Sequence, residues 1–185
     1  MTSSEFAHNH FRGLTGDLTI RYATDADRST MQAIFNHEVA SSTSSWEWLP
    51  LSTEDWQTWF DDHTSGDYVA LVAQFDGQVA GFAGFSAFRP KAGYASTVED
   101  SIFLDPAFRG RGIGKVLLQQ LLAEARLRSV HSVVAAITSE NLASIGLHRN
   151  AGFQEVGRLP QVGHKFGRWL TLLLFQIILD DRPAP

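Results

Sequence analysis

The sequence predicts an α/β domain in which a mixed central β-sheet is flanked by helices on both faces. Residues 68–75 and 78–85 are strand-like runs separated by Asp76-Gly77, the pair favoured in a tight hairpin, so the early strands pair antiparallel. From residue 98 onward, strand-like runs alternate with helical ones, the order that produces crossover connections and parallel pairing. Residues 112–128 carry an apolar arc centred on Ile113, Leu117 and Leu121 and widened by Val116, Leu122 and Ala125, as expected for a helix packed on a sheet.

The elements follow in order. Residues 1–17 are polar and rich in Ser, His and Gly, with neither a signal-peptide nor a transit-peptide pattern, and are expected to form a disordered arm. His8-Asn9-His10 lacks further ligands and is expected to be exposed tail rather than a metal site. Residues 18–22 alternate as a first strand. Thr24-Asp25-Ala26-Asp27 then resembles a capping box before the helical spacing Met31, Ile34, Phe35, Val39. Ser52-Thr53-Glu54-Asp55 repeats that pattern before Trp56, Trp59 and Phe60, which share a helical face and are expected in the core. The polar stretch 41–45 is a loop. A strand over 98–104 ends at Asp105-Pro106, and the glycine-rich turn and the 112–128 helix come next. A short β-branched run at 132–137 precedes a helix over about 141–150, stopped by Ala151-Gly152. Two strands, 153–159 and 168–179, close the domain around a Gly-containing connection. Residues 18–180 form one domain and 181–185 a short tail.

Composition narrows the function. At 185 residues and 44% hydrophobic content, a single sizeable core is expected. The chain has no cysteine, which excludes disulfides, Cys-ligated metals and a cysteine nucleophile, and fits a cytoplasmic location. A net charge of −5 argues against broad attraction to nucleic acid or an anionic membrane. The apolar run at 170–179 is interrupted by Thr171 and Gln176 and is too short to span a bilayer.

Arg109-Gly110-Arg111-Gly112-Ile113-Gly114 lies between the 98–104 strand and the long helix. Glycines there let backbone N–H groups converge, and the helix N-terminus adds its positive dipole end, so the stretch is an anion cradle suited to a pyrophosphate. Arg109, Arg111 and Lys115 add charge. It is not a P-loop, because Val116 follows Gly114-Lys115. It is not the dinucleotide fingerprint, because Lys115 stands where Gly or Ala is needed.

The spacing R-x-x-G-x-G, Arg109 through Gly112 to Gly114, resembles the acetyl-CoA pyrophosphate loop of the GNAT superfamily of N-acetyltransferases. The stretch from Asn141 through Ser144 and His148 to Gly152-Phe153 resembles the second motif of that superfamily, N-x-x-(A/S)-x-x-x-(Y/H)-x-x-x-G-F. Further segments, Phe35-Asn36-His37, Ser42-Thr43, Phe88-Arg89-Pro90, Tyr94, Thr97-Val98-Glu99, Gly157-Arg158-Leu159-Pro160, Val162-Gly163 and residues 165–170, are similar to the phosphinothricin N-acetyltransferase subgroup. Two positions depart from it: Thr171 stands where Asp often follows the Trp-Leu pair, and Ser101 where Thr is common.

The resemblance implies a GNAT fold, acetyl-CoA as co-substrate with no metal, a homodimer, and acetylation of the α-amino group of a small amino acid such as phosphinothricin or methionine sulfoximine. A protein N-terminus or another amine is the alternative acceptor, and a non-catalytic acyl-CoA-binding regulator is a third reading. The reaction needs an uncharged amine beside a thioester carbonyl, a proton acceptor, and a proton for the departing thiolate. Glu99 is the candidate base, and strand alternation puts it on one face with Ser101 and Phe103. Phe103 and Leu104 would offer backbone groups to the pantetheine arm, and Arg109, Gly110, Arg111, Gly112, Ile113, Gly114 and Lys115 would hold the pyrophosphate. Asn141 and Ser144 would bond the cofactor arm, although a helix N-cap uses an Asn equally well. His148 stands where many members carry Tyr near the sulfur, so it would protonate the thiolate, or else be a packed helix histidine. Arg89, Tyr94 and Ser101 match acceptor-binding positions, and Trp46 and Trp48 could wall that pocket. Lys165 and Arg168 could bind a substrate anion, support a subunit contact or remain surface charges.

Overall fold

The computed structural model describes residues 9–11, 16–65 and 68–184. Its strands are β1 (Asn9–Phe11), β2 (Leu18–Tyr22), β3 (Val69–Phe75), β4 (Gln78–Ala87), β5 (Thr97–Leu104), β6 (Ser132–Thr138), β7 (Gln154–Lys165) and β8 (Arg168–Ile178). The helices are α1 (Arg28–Ser41), α2 (Thr53–Ser65), α3 (Ile113–Leu127) and α4 (Leu142–Asn150). Eight strands form one sheet in the order β1-β2-β3-β4-β5-β6-β8-β7. Every neighbouring pair is antiparallel except β5 and β6.

Local chemistry explains the elements. Asp27 accepts from both the backbone N–H and the hydroxyl of Thr24 at 2.9 Å and pairs with Arg21 at 2.7 Å, closing the turn that starts α1. The Ser52 hydroxyl accepts from the Asp55 N–H at 3.1 Å at the start of α2. Asp76 and Gly77 both take positive φ, 48° and 81°, the turn that matches the twist of β3 and β4.

Alternation along the strands separates two cores. Val69, Leu71, Ala73 and Phe75 of β3 face α3 and α4, where Ile113, Leu117, Leu121 and Ile145 are buried. Ala70 and Val72 face α1 and α2, where they meet Met31, Ile34, Trp56 and Phe60. Trp56 is fully buried and Trp59 stacks on it at 4.8 Å, as their helical spacing predicts.

Two expectations need correction. Within the arm expected to be disordered, Asn9–Phe11 pair with β2 as an edge strand, while residues 1–8 and 12–15, His8 included, lie outside the described residues. The connection expected after residue 159 is instead strand, because β7 runs to Lys165 and turns at Phe166-Gly167, with φ of 50° and 74°. Pro160 and Gly163 are tolerated because β7 is an edge strand with a register shift between Leu159 and Gly163.

The feature that positions the site is the parallel pair. β5 and β6 are in register only from Thr97↔Ser132 to Glu99↔Val134, and beyond Glu99 they separate. The fork between them opens a cleft beside the N-terminus of α3 and the N-terminus of α4.

Candidate active site

The cleft has two continuous parts. One, of about 320 Å³, is lined by Ile102, Phe103 and Leu104 of β5, by Gly110, Gly112, Gly114 and Lys115, and by Asn141 and Ser144. The other, of about 190 Å³, reaches Glu99, Asp100, Ser101 and His148 and shares Ser44, Ile102, Phe103, Asn141 and Ser144 with the first.

The glycine loop has the geometry of an anion cradle. Gly110 and Gly112 take φ of 75° and 78°, and Gly112 is the left-handed N-cap of α3. The first-turn N–H groups of a helix have no intrahelical acceptor, so those of Ile113 and Gly114 are turned to the same end as the helix dipole. Both parts of this geometry suit a pyrophosphate. Lys115 lines the cleft and is exposed, whereas the Ile113 side chain belongs to the core, leaving only its backbone for a ligand.

Both arginines have partners within the protein. Arg109 forms an ion pair with the buried Glu38 of α1 and donates Nε and Nη2 to the Leu104 carbonyl at 3.2 and 3.0 Å. It ties the loop to α1 and β5, with the Leu104 carbonyl among its acceptors. Arg111 donates to the Ala107 carbonyl at 3.3 Å and lies over the Phe75 and Phe108 rings.

On α4, Asn141 Oδ1 accepts the Ser144 N–H at 3.0 Å as an N-cap, while its Nδ2 donates to Ser44 Oγ at 3.1 Å. His148 is buried. Its Nδ1 lies 2.8 Å from the Ser144 carbonyl and its Nε2 lies 3.0 Å from Asp100 Oδ2. A carbonyl only accepts, so Nδ1 carries hydrogen, and Nε2–H faces the carboxylate. Burial opposes the imidazolium, but the hydrogen bond and charge of Asp100, helped by the Ser144 carbonyl, hold it above its ordinary pKa of 6.5. Donation to a departing thiolate would need a ring N–H turned to the cleft, and both are engaged. The geometry is that of the packed helix histidine, bridging α4 to β5 just past the last β5–β6 pair.

Glu99 lines the inner part of the cleft, with its side chain 33% exposed and Oε2 3.7 Å from Arg89 Nη1. Burial is the main influence raising the Glu99 pKa above 4.5; Arg89 pulls it down and Asp100 adds to the rise. Arg89 also donates to the Phe88 carbonyl at 2.7 Å and covers the Phe88 ring, which meets Tyr94 edge-on at 5.7 Å. Ser101 faces the same cleft as Glu99, and Tyr94 is exposed beside Phe88.

Trp48 is 67% exposed and packs against His164 at 4.8 Å, away from the cleft, and Trp46 lies against Gly163. The residues that do line the cleft from this loop are Ser44 and Ser45. Of the two distal basic residues, Arg168 pairs with Glu140, and Lys165 is buried rather than surface charge. Sequence reasoning missed Glu38, Ser44, Ser45 and Asp100. Glu38 at the end of an apolar helical face was a readable signal of a buried charge, but its partner is 71 residues away. No group of three or more His, Asp or Glu side chains among the described residues is placed to hold a metal ion.

The acetyltransferase (GNAT) family model matches residues 31–153. The chain is 44% identical over 169 residues to the L-methionine sulfoximine/L-methionine sulfone acetyltransferase of Pseudomonas aeruginosa, covering 90% of this chain and 98% of that protein. It is 35% identical over 159 residues to the phosphinothricin N-acetyltransferase of Alcaligenes faecalis, covering 85% and 81%. Among solved structures it is similar to an acetyltransferase of Salmonella typhimurium described with its cofactor acetyl-CoA, with a TM-score of 0.88, 40% identity, and coverage of 91% and 97%. The chain belongs to the acetyltransferase (GNAT) family, in its phosphinothricin N-acetyltransferase-like subgroup, and is an acetyl-CoA-dependent N-acetyltransferase.

Proposed function

We propose that this enzyme acetylates the α-amino group of a small amino acid or analogue, such as phosphinothricin or methionine sulfoximine. The observation that carries the reading is Arg89 lying 3.7 Å from Glu99, which lines the inner part of the cleft. An α-amino acid presents a carboxylate and an amine on one carbon, and a guanidinium beside a carboxylate is the complementary pair. Arg89 takes the substrate carboxylate, with Tyr94 and Ser101 beside it, and Glu99 takes the amine.

Acetyl-CoA supplies a thioester carbonyl. Phe103 and the N-terminal end of α4, with Asn141 and Ser144, line its path, and residues 110–115 hold its pyrophosphate end. Glu99 accepts the proton that the amine loses as its nitrogen bonds the acetyl carbon and the carbon–sulfur bond breaks; a base whose pKa is raised toward neutrality suits this task. His148 positions β5 against α4.

We further propose a cytoplasmic homodimer. Support for the dimer comes from an exposed apolar surface on the β7–β8 hairpin, where Val162 is 52%, Phe166 56% and Trp169 65% exposed. An acetylation screen with free-thiol release as readout, across amino acids, phosphinothricin, methionine sulfoximine and short peptides, tests the reading. Turnover confined to peptides would replace it with N-terminal protein acetylation.

A further inference from the structure

β7 is an exposed edge strand whose one buried residue is a lysine. Lys165 is 4% exposed, and its Nζ donates to the Ser45 carbonyl at 2.7 Å. Burying an ammonium is costly, and an apolar side chain would fill the same volume more cheaply. What the lysine adds is a charge attracted by Glu47 and Glu38 and a bond that fixes one carbonyl of the loop after α1.

Gly163 lies two residues earlier, on the same face of β7. A Cβ there would come within 2.3 Å of the Trp46 ring, so the indole is seated where only glycine leaves room. Its φ is not in the left-handed region, so the requirement is space rather than backbone freedom. Across the hairpin, Lys165 is opposite Arg168, which pairs with Glu140, and Glu140 accepts from Thr43 Oγ1 at 3.2 Å. One face of the hairpin therefore holds Ser45 and Trp46 directly and Thr43 through Glu140. Ser44, between them, is tied to Asn141, and Ser44 and Ser45 line the part of the cleft that holds Glu99 and Ser101.

We propose that Gly163 and Lys165 are specificity-determining residues: they seat the strap 43–46 so that Ser45, which lines only the inner part of the cleft, forms a fixed wall of the amine-acceptor pocket. They touch no reacting atom and act through the strap. The inference rests on the acceptor reading above and names the residues that shape that pocket.

The test is steady-state kinetics with the best acceptor found for wild type, alongside calorimetric acetyl-CoA binding, on Gly163→Ala, Trp46→Leu, Gly163→Ala/Trp46→Leu and Lys165→Met. Gly163→Ala and Lys165→Met should each raise the acceptor KM by about tenfold, with acetyl-CoA affinity within about twofold of wild type. Trp46→Leu should raise KM in the wild-type background but lower it in the Gly163→Ala background, because the smaller side chain accommodates the added Cβ. This reversal of sign is not expected of two independent structural defects. If Gly163→Ala fails to fold, Lys165→Met and Trp46→Leu decide alone. Unchanged acceptor KM in folded variants, or equal losses for acceptor and acetyl-CoA, would overturn the inference while leaving the acceptor reading intact. A wild type that acetylates no amino acid would overturn both.

Discussion

Replacing Gly112 with Val tests the cradle at its most demanding backbone position. Gly112 has φ 78° and ψ −3°, a left-handed conformation that costs an L-residue about 1–2 kcal/mol, and more with a branched Cβ. The valine relieves this by rotating out of the left-handed region, which turns the N–H groups of Ile113 and Gly114 away from a common focus. Binding must then restore the strained form, so about 1–2 kcal/mol appears as a 5- to 30-fold rise in the acetyl-CoA Kd. The side chain also projects beside the cleft that Gly112 lines. Calorimetry on the folded variant measures this. Gly146→Ala is the control: an added Cβ there meets nothing within 4 Å, and affinity should not change. A Gly112→Val protein that folds and binds acetyl-CoA as tightly as wild type would refute the cradle.

Other outcomes follow from the inner cleft. Glu99→Gln should retain fold and acetyl-CoA binding yet turn over about a hundredfold more slowly, measured by thiol release; wild-type turnover would make Glu99 structural. Because burial already lifts the Glu99 pKa above 4.5 and Arg89 pulls it down, Arg89→Ala should move the acidic limb of kcat/KM to higher pH, and a limb that stays or falls would contradict the pairing. The His148 pKa is raised on folding, so its contribution to stability is complete below about pH 6.5 and is lost as pH rises through the folded value. The stability gap between wild type and Asp100→Asn, read by denaturant titration, should therefore be widest near about pH 6 and narrow with rising pH; a gap independent of pH would mean that His148 is neutral.

Sequence periodicity revealed what local physics controls. The Asp76-Gly77 turn, the capping residues at Thr24 and Ser52, the arc of α3 and the two-faced sheet all follow from residues close together in the chain. The glycine loop was legible for the same reason, since left-handed positions and a helix start leave a local signature. The extent of β7 was not, because Pro160 and Gly163 break a strand by propensity but not at a sheet edge with a bulge. Side-chain roles set by distant partners were also hidden. The Glu38 partner of Arg109 comes from α1, and Asp100, on β5, lies 3.0 Å from the ring of His148, which the sequence left open between proton donor and packed helix histidine. Asp100 itself is one step from Glu99 in sequence, and only the opening of the fork assigns them different work.

The central claim is tested most directly by giving the enzyme its best amino-acid acceptor beside the decarboxylated amine of that acceptor, with wild type and Arg89→Ala compared by thiol release. Losing a charge-assisted bond costs about 1.5–3 kcal/mol, so wild type should prefer the acid by roughly ten- to a hundredfold in kcat/KM, and Arg89→Ala should lose that preference while acetyl-CoA affinity holds. Equal rates on acid and amine in wild type, or an equal loss on both in the variant, would contradict recognition of an α-amino acid by Arg89 and Glu99.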